Sequence, residues 1–183
     1  MAPRDRLLEL LRARSVRTGD FVLSSGKRSS YYVDCRLTTM QAEGFSLIGS
    51  LGLRAIRDQG WSAQSVGGLT LGADPVAYAI AAASLADPPV LDAFSVRKAA
   101  KTHGTGRRIE GCFTPGMSVI VVEDAVTTGG STLEAIAAIR AESGVVRGVF
   151  TVLDREEGGR QAIEAEGIPV CSLLRGPELL ASP

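Results

Sequence analysis

Two adjacent carboxylates, Glu123 and Asp124, close a run of apolar residues in the stretch VIVVEDAVTTGGSTLEAI, residues 119–136. After them come Ala125 and Val126, then Thr127, Thr128, Gly129, Gly130, Ser131 and Thr132, and then an Ala/Leu/Ile pattern of helical type. This order reads as strand, polar turn and helix. Ligands of open parallel sheets gather beyond the carboxyl ends of the strands, so acids at the end of a strand over 119–122 are candidates for ligand contact. The two glycines let the backbone bend and approach a ligand closely, and amides at the start of a helix attract anions. The turn is therefore a candidate phosphate cradle. Paired carboxylates would repel a phosphate, so their partners are sugar hydroxyls or a metal carried by the sugar, and a ribose phosphate satisfies both halves of the motif.

A second cluster is basic. Arg97, Lys98, Lys101 and His103 fall within seven residues and are followed by Gly104 and Gly106, and His103 is the only histidine of the chain. They belong to SVRKAAKTHGTGRRIEGCFTPG, residues 95–116, a long connection without apolar period, and loops of that length in compact domains are usually functional. A basic loop that closes over a polyphosphate excludes water and neutralises a leaving group. The chain contains no G-x-x-x-x-G-K-[ST] and no G-x-G-x-x-G after a predicted strand, which disfavours a nucleoside triphosphate hydrolase or a dehydrogenase.

The elements that must hold these groups follow from periodicity. Leucines at 7, 8, 10 and 11 predict an amphipathic helix over 4–14. Strand-like pieces at 21–23 and 31–34, around the turn-rich SSGKRSS, predict a hairpin, and a second helix is expected over about 39–57. From there the chain alternates: strand-like SVGGL, helical DPVAYAIAAASLA, strand-like PVLDAF, the long polar segment, strand-like SVIVVE, helical STLEAIAAIRAES and strand-like VVRGVFTVLD. Such alternation implies βαβ units and a parallel sheet, and the unbroken VIVV fits a central strand covered on both faces.

With 183 residues, 45% of them hydrophobic, a single domain is expected. Twenty basic residues balance twenty acidic ones, which removes the electrostatic footprint of a dedicated nucleic-acid binder and makes any attraction for anions local. Cys35, Cys112 and Cys171 lie far apart without a C-x-x-C pair, so buried reduced thiols are expected in place of a zinc site or a disulfide framework. The opening MAPRDRLLELLRARS scatters charges through its leucines, unlike a secretory signal, and the longest weakly polar run, near 75–86, is too short to span a bilayer. A cytoplasmic protein with no nucleic-acid or membrane partner is the expectation.

Across VIVVEDAVTTGGST the chain resembles the type I phosphoribosyltransferases, whose signature is an apolar strand, two acids and a Thr/Gly-rich loop. FVLSSGKRSSYYVDCR, GGLTLGADPVAYAIA, VRKAAKTHGTG and the LDR at 153–155 resemble the orotate-using branch and extend the likeness over most of the chain. The resemblance implies an α/β type I phosphoribosyltransferase fold: a central, mostly parallel sheet flanked by helices, with a small N-terminal hood over about 1–38 and a flexible catalytic loop over about 95–116. It implies transfer of the 5-phosphoribosyl group from 5-phosphoribosyl 1-pyrophosphate to orotate, with Mg2+, giving orotidine 5′-phosphate and pyrophosphate in pyrimidine synthesis. By the same resemblance Glu123 and Asp124 hold the ribose hydroxyls, and Ala125, Val126, Thr127, Thr128, Gly129, Gly130 and Ser131 wrap the 5-phosphate. Arg97, Lys98, Lys101 and His103 engage the pyrophosphate, while Thr127 and Arg155 contact orotate. No metal ligand is assigned to a side chain, since magnesium is expected to arrive with the substrate.

Departure of pyrophosphate from C1 leaves an oxocarbenium-like ribosyl centre, so the step calls for cations more than for a covalent nucleophile. Lys101, His103 and Asp124 form the expected catalytic set, with His103 either stabilising charge or donating a proton. The resemblance further implies a homodimer in which the loop closes over the neighbouring subunit's site. Lys27, Arg28, Tyr32 and Val33 are expected to border the orotate pocket, although Tyr31 and Tyr32 suit packing equally well. Two positions depart from the pattern: Ser24 in LSSG and Leu71 in LTLG stand where some members carry lysine, so no phosphate-binding role passes to either.

Overall fold

The computed structural model describes residues 1–22, 28–99 and 108–180. Helix α1 (Pro3–Arg14) has a proline in its first turn, Asp5 near its start and Arg12 and Arg14 near its end, and it buries Leu7, Leu10 and Leu11. Strands β1 (Val16–Val22) and β2 (Arg28–Val33) pair antiparallel as a separate two-stranded sheet. They are longer than their apolar residues led one to expect, because β1 runs through Thr18, Gly19 and Asp20, whose composition imitates a turn. The helix expected over about 39–57 is α3 (Ala42–Asp58), which starts three residues later than expected, and a short helix α2 (Arg36–Thr39) that was not expected precedes it. The Gln41 side chain caps α3 by accepting from Gly44 N at 2.7 Å.

The main sheet follows: β3 (Ser65–Leu69), α4 (Ala73–Ser84), β4 (Asp92–Val96), β5 (Ile109–Gly111), β6 (Ser118–Val126), α5 (Gly130–Ala141), β7 (Val145–Asp154), α6 (Gly159–Glu164), β8 (Val170–Arg175) and α7 (Gly176–Leu180). Its strand order is β5-β4-β3-β6-β7-β8, and every neighbouring pair is parallel except β4 with β5. Strand β6 is central, as its composition required. Ile120 and Val122 face a core with Leu7, Leu11, Ile48 and Ile80, while Val119 and Val121 face Ala135, Ile136, Ile139 and Ile163. All four are fully buried, and each such side chain stabilises the fold by about 1.5–3 kcal/mol relative to exposure.

Strands β3 and β7 coincide with SVGGL and VVRGVFTVLD. The connection expected to be loop over 95–116 is shorter in regular terms, because Val96 pairs with Ile109 and Phe94 with Gly111 in the antiparallel edge of the sheet. Ile109 is 5% exposed in the core beside Phe94, and a three-residue strand is too short to give a readable period. The terminal α6, β8 and α7 had no counterpart in the sequence reading. No helix among the described residues is long and apolar enough to cross a membrane.

Candidate active site

The C-terminal ends of the parallel neighbours β3 and β6 open on a polar cleft of about 330 Å³. Its walls are Tyr32, Val33, Asp34, Cys35 and Arg36 from the end of β2 onwards, residues 69–72 after β3, Lys98 beyond β4, and Glu123, Asp124, Ala125, Thr127 and Ser131. A second hollow of about 190 Å³, lined by Glu123 and residues 125–132, shares four of these residues and continues the cleft.

The acids sit within β6, which runs through them to Val126, with Glu123 opposite Thr151 and Ala125 opposite Leu153 on β7. Glu123 is 6% exposed; its Oε2 accepts from Thr132 Oγ1 at 3.5 Å, and Asp124 Oδ1 accepts from Ala125 N at 3.0 Å. Neither carboxylate forms an ion pair among the described residues. Burial pushes the Glu123 carboxyl well up, and the neighbouring Asp124 adds to the effect. Burial also raises Asp124, against hydrogen bonds and the Arg36 charge that pull it down. Gly72 makes room for the pair: a Cβ there would lie 2.5 Å from Asp124 Oδ1 and 3.2 Å from Glu123 Oε1.

The second hollow is built on the start of α5. Gly129 has φ of 83°, in the left-handed region that disfavours side chains, and no side-chain hydrogen bond caps this end. The first-turn amides are thus left for an anion, which the helix dipole favours. The loop is anchored from the segment that follows β7, since Arg155 N donates to Val126 O at 2.9 Å and Gly159 N, at the start of α6, to Thr127 O at 2.8 Å. Acids for hydroxyls and a helix start for a phosphate therefore stand side by side.

No family model matches the sequence. The chain is 49% identical to the orotate phosphoribosyltransferase of Aquifex aeolicus, over 98% of this chain and 99% of that one. It belongs to the orotate phosphoribosyltransferase family. Among solved structures, that of Mycobacterium tuberculosis orotate phosphoribosyltransferase in complex with Fe(III) dicitrate superposes with a TM-score of 0.87 at 47% identity, covering 97% of this chain and 99% of the other. The same enzyme in complex with 5-phospho-α-D-ribosyl 1-diphosphate gives 0.83 at 43% identity, covering 98% and 100%.

The cleft gathers part of the residue set read from the family likeness. Glu123, Asp124, Ala125, Thr127, Ser131 and Lys98 line the main cleft, and Val126, Thr128, Gly129 and Gly130 line the adjoining hollow. Arg97 does not line either; it is exposed, with Nη1 4.0 Å from Glu110 Oε1. Lys101 and His103 lie outside the described residues, as do Ser24 and Lys27. Arg28 is exposed beside Asp20 and does not line the cleft, whereas Tyr32 and Val33 form part of its wall and Leu71, 58% exposed, gives it an aliphatic stretch. Arg155, expected at orotate, lines neither cavity: its side chain is 4% exposed, and its guanidinium carbon lies 4.4 Å from the centre of the Tyr31 ring.

Several residues of the site escaped the sequence reading. Arg36 lines the cleft with its Nε and Nη2 forked onto Asp34 at 2.8 and 3.0 Å, and that hydrogen bonding holds the Asp34 carboxyl below its usual range. Their position just past a predicted strand could have flagged them. Arg108 could not have been found so, because it works through backbone: Nε donates to Arg97 O at 3.1 Å and Nη2 to Lys98 O at 3.2 Å, while Nη2 also meets Glu134 Oε1 at 2.5 Å. It thereby ties the stem bearing Lys98 to α5.

Proposed function

We propose that this chain transfers the 5-phosphoribosyl group of 5-phosphoribosyl 1-pyrophosphate to orotate, forming orotidine 5′-phosphate and pyrophosphate on the route to pyrimidine nucleotides. The observation that carries the reading is the buried acid pair, free of any cation partner among the described residues, beside an uncapped helix start. Glu123 and Asp124 accept from the ribose hydroxyls, and the amides of residues 125–131 wrap the 5-phosphate. Lys98, with Arg97, Lys101 and His103, meets the pyrophosphate and stabilises the charge that grows on it as the C1 bond breaks. Thr127 and Arg155 hold orotate, whose carboxylate matches a guanidinium fork.

Among the described residues no three His, Cys, Asp or Glu side chains form a cage for an ion. The two unpaired acids suit a divalent ion that draws most of its ligands from substrate oxygens, and Glu123 and Asp124 would hold it there through the ribose hydroxyls. Mg2+ so bound supplies charge neutralisation on the diphosphate. The deciding assay follows orotate absorbance with enzyme, with and without phosphoribosyl pyrophosphate and magnesium. Consumption is expected only with all components present, and turnover of adenine or guanine in place of orotate would overturn the reading.

A homodimer with shared sites is part of this proposal. Leu37 on α2, Met40 just after it and Tyr78 on α4, helices in contact with one another, expose large apolar surfaces suited to a subunit contact. Mixing a Lys101→Ala/His103→Ala variant with an Asp124→Asn variant tests the sharing. If the loop acts across the dimer, one site of each mixed dimer carries both defects and the other none, so activity recovers to about a quarter of wild type. No recovery after confirmed subunit exchange would reject the shared site. A cytoplasmic location completes the proposal and agrees with three cysteines that are all unpaired, although only Cys35 is buried as expected, Cys171 being half-buried and Cys112 exposed.

A further inference from the structure

Arg155 is a buried cation with an unfilled edge. Its Nε and Nη2 are both buried and make no hydrogen bond among the described residues. Those two atoms form the edge with which Arg36 forks Asp34 and Arg6 forks Glu43, the latter at 2.6 and 3.0 Å. At Arg155 the only charge partner among the described residues is Glu157, whose Oε1 comes within 2.7 Å of Nη2 but outside hydrogen-bond alignment, and whose side chain is 20% exposed. One carboxylate oxygen thus reaches one corner of a site shaped for two. Buried donors left in this state destabilise a fold unless a ligand completes them.

The surroundings decide which ligand fits. Tyr31 covers one face of the guanidinium, so a planar group must engage the unbonded edge, which is buried while Glu157 stands beside it. The Arg155 amide is bonded to Val126 O beside the phosphate hollow, and its charge is felt at the cleft residue Cys35. Glu157 itself lies between Glu156, with φ of 55°, and Gly158, with φ of 94°, in a turn pinned where Asp154 Oδ1 accepts from Glu156 N at 2.9 Å. The backbone is therefore fixed, and only side-chain rotation is needed to withdraw the Glu157 carboxylate into solvent.

We infer that Glu157 is a specificity-determining residue that holds Arg155 as a stand-in carboxylate, and that the acceptor enters by exchanging its own carboxylate for that of Glu157. This rests on the reading that Arg155 receives orotate. The exchange leaves the charge around the guanidinium unchanged, so an acceptor carrying a carboxylate replaces what it displaces. A pyrimidine without one, such as uracil, would leave Arg155 to Glu157 and gain nothing there.

The test is Glu157→Gln, which keeps the shape of the side chain and removes its charge. The apparent orotate constant should fall by about two- to fivefold, the scale of a partly exposed ion pair, while the phosphoribosyl pyrophosphate constant and the inhibition constant of uracil stay where they were. Glu157→Ala should move in the same direction. An unchanged or raised orotate constant in both variants overturns the inference, a rise meaning that Glu157 positions Arg155 instead of competing for it. Arg155→Ala measured alongside separates the two levels: if it leaves the orotate constant unaltered, the assignment of Arg155 itself falls, and the exchange with it.

Discussion

The ends of β6 and β7 lie side by side, Val126 opposite Asp154, and both bury acidic side chains, but they partner them in opposite ways. Asp154 is 2% exposed and fully engaged: Oδ2 accepts from Arg160 Nε at 2.7 Å and Oδ1 from Glu156 N. Arg160 in turn donates to Val170 O at 2.6 Å and Ser172 Oγ at 3.0 Å, so the pair staples the end of β7 to β8. Glu123 and Asp124, a few residues along the adjoining strand, form no ion pair among the described residues, and burial raises both carboxyls. A buried acid with its cation in place holds the chain together. A buried pair without one carries an electrostatic deficit that a ligand can relieve, which is how strain tends to accumulate at functional sites.

Breaking the satisfied member should give the largest effect. Arg160→Ala leaves Asp154 buried without its cation and removes the contacts to β8, and breaking a buried pair in this way typically costs about 3–5 kcal/mol. Urea unfolding should register a loss of that size. A loss below about 1 kcal/mol would mean that Asp154 is no more dependent on its partner than a surface acid, and the contrast between the strands would collapse.

Breaking the unsatisfied member should act on binding and leave stability alone. Asp124→Asn removes one charge-assisted acceptor for the ribose hydroxyls, which should weaken phosphoribosyl pyrophosphate binding by about 1.5–3 kcal/mol, or about ten- to hundredfold in a calorimetric dissociation constant. Its urea midpoint should not drop. Unchanged affinity would count against the diol role, and a stability loss like that of Arg160→Ala would make Asp124 a second structural acid.

The contrast was only half legible in the sequence. The acid pair announced itself because an apolar strand, a Gly-rich turn and a helix follow one another without interruption, and local order of that kind survives folding. Asp154 gave no such signal, since Arg160 becomes its partner only when α6 packs on β8 and Arg160 reaches Val170 and Ser172 there, elements whose short apolar runs carry little period. The same holds for Arg155: its place at a strand end could be read, whereas its stacking on Tyr31 and its half-met edge depend on a contact across 124 residues of chain. Helix α3 was readable from its amphipathic run, but its start was not, because the Gln41 cap interrupts a pattern that composition alone continues into α2.

The smallest effect is also the one that probes the deficit directly, because it predicts a gain. In the unfolded chain Glu123 ionises at the ordinary carboxylate value, whereas burial and the neighbouring Asp124 keep it protonated to higher pH in the fold. The folded state therefore holds more protons through that interval, and stability falls as pH rises from the ordinary carboxylate range through the raised folded value. Glu123→Gln keeps an acceptor for Thr132 Oγ1 and removes the charge that burial opposes. In the ligand-free protein, with chelator present, the variant should be more stable than wild type by on the order of 1 kcal/mol near pH 8, the scale of an unmet buried polar group. The difference should vanish well below the ordinary carboxylate range, where Glu123 is protonated in both states, while activity at neutral pH falls because an acceptor for the sugar is lost. Parallel stability curves for the two proteins across this range would show that Glu123 is already compensated, and the two strand ends would then no longer differ in kind.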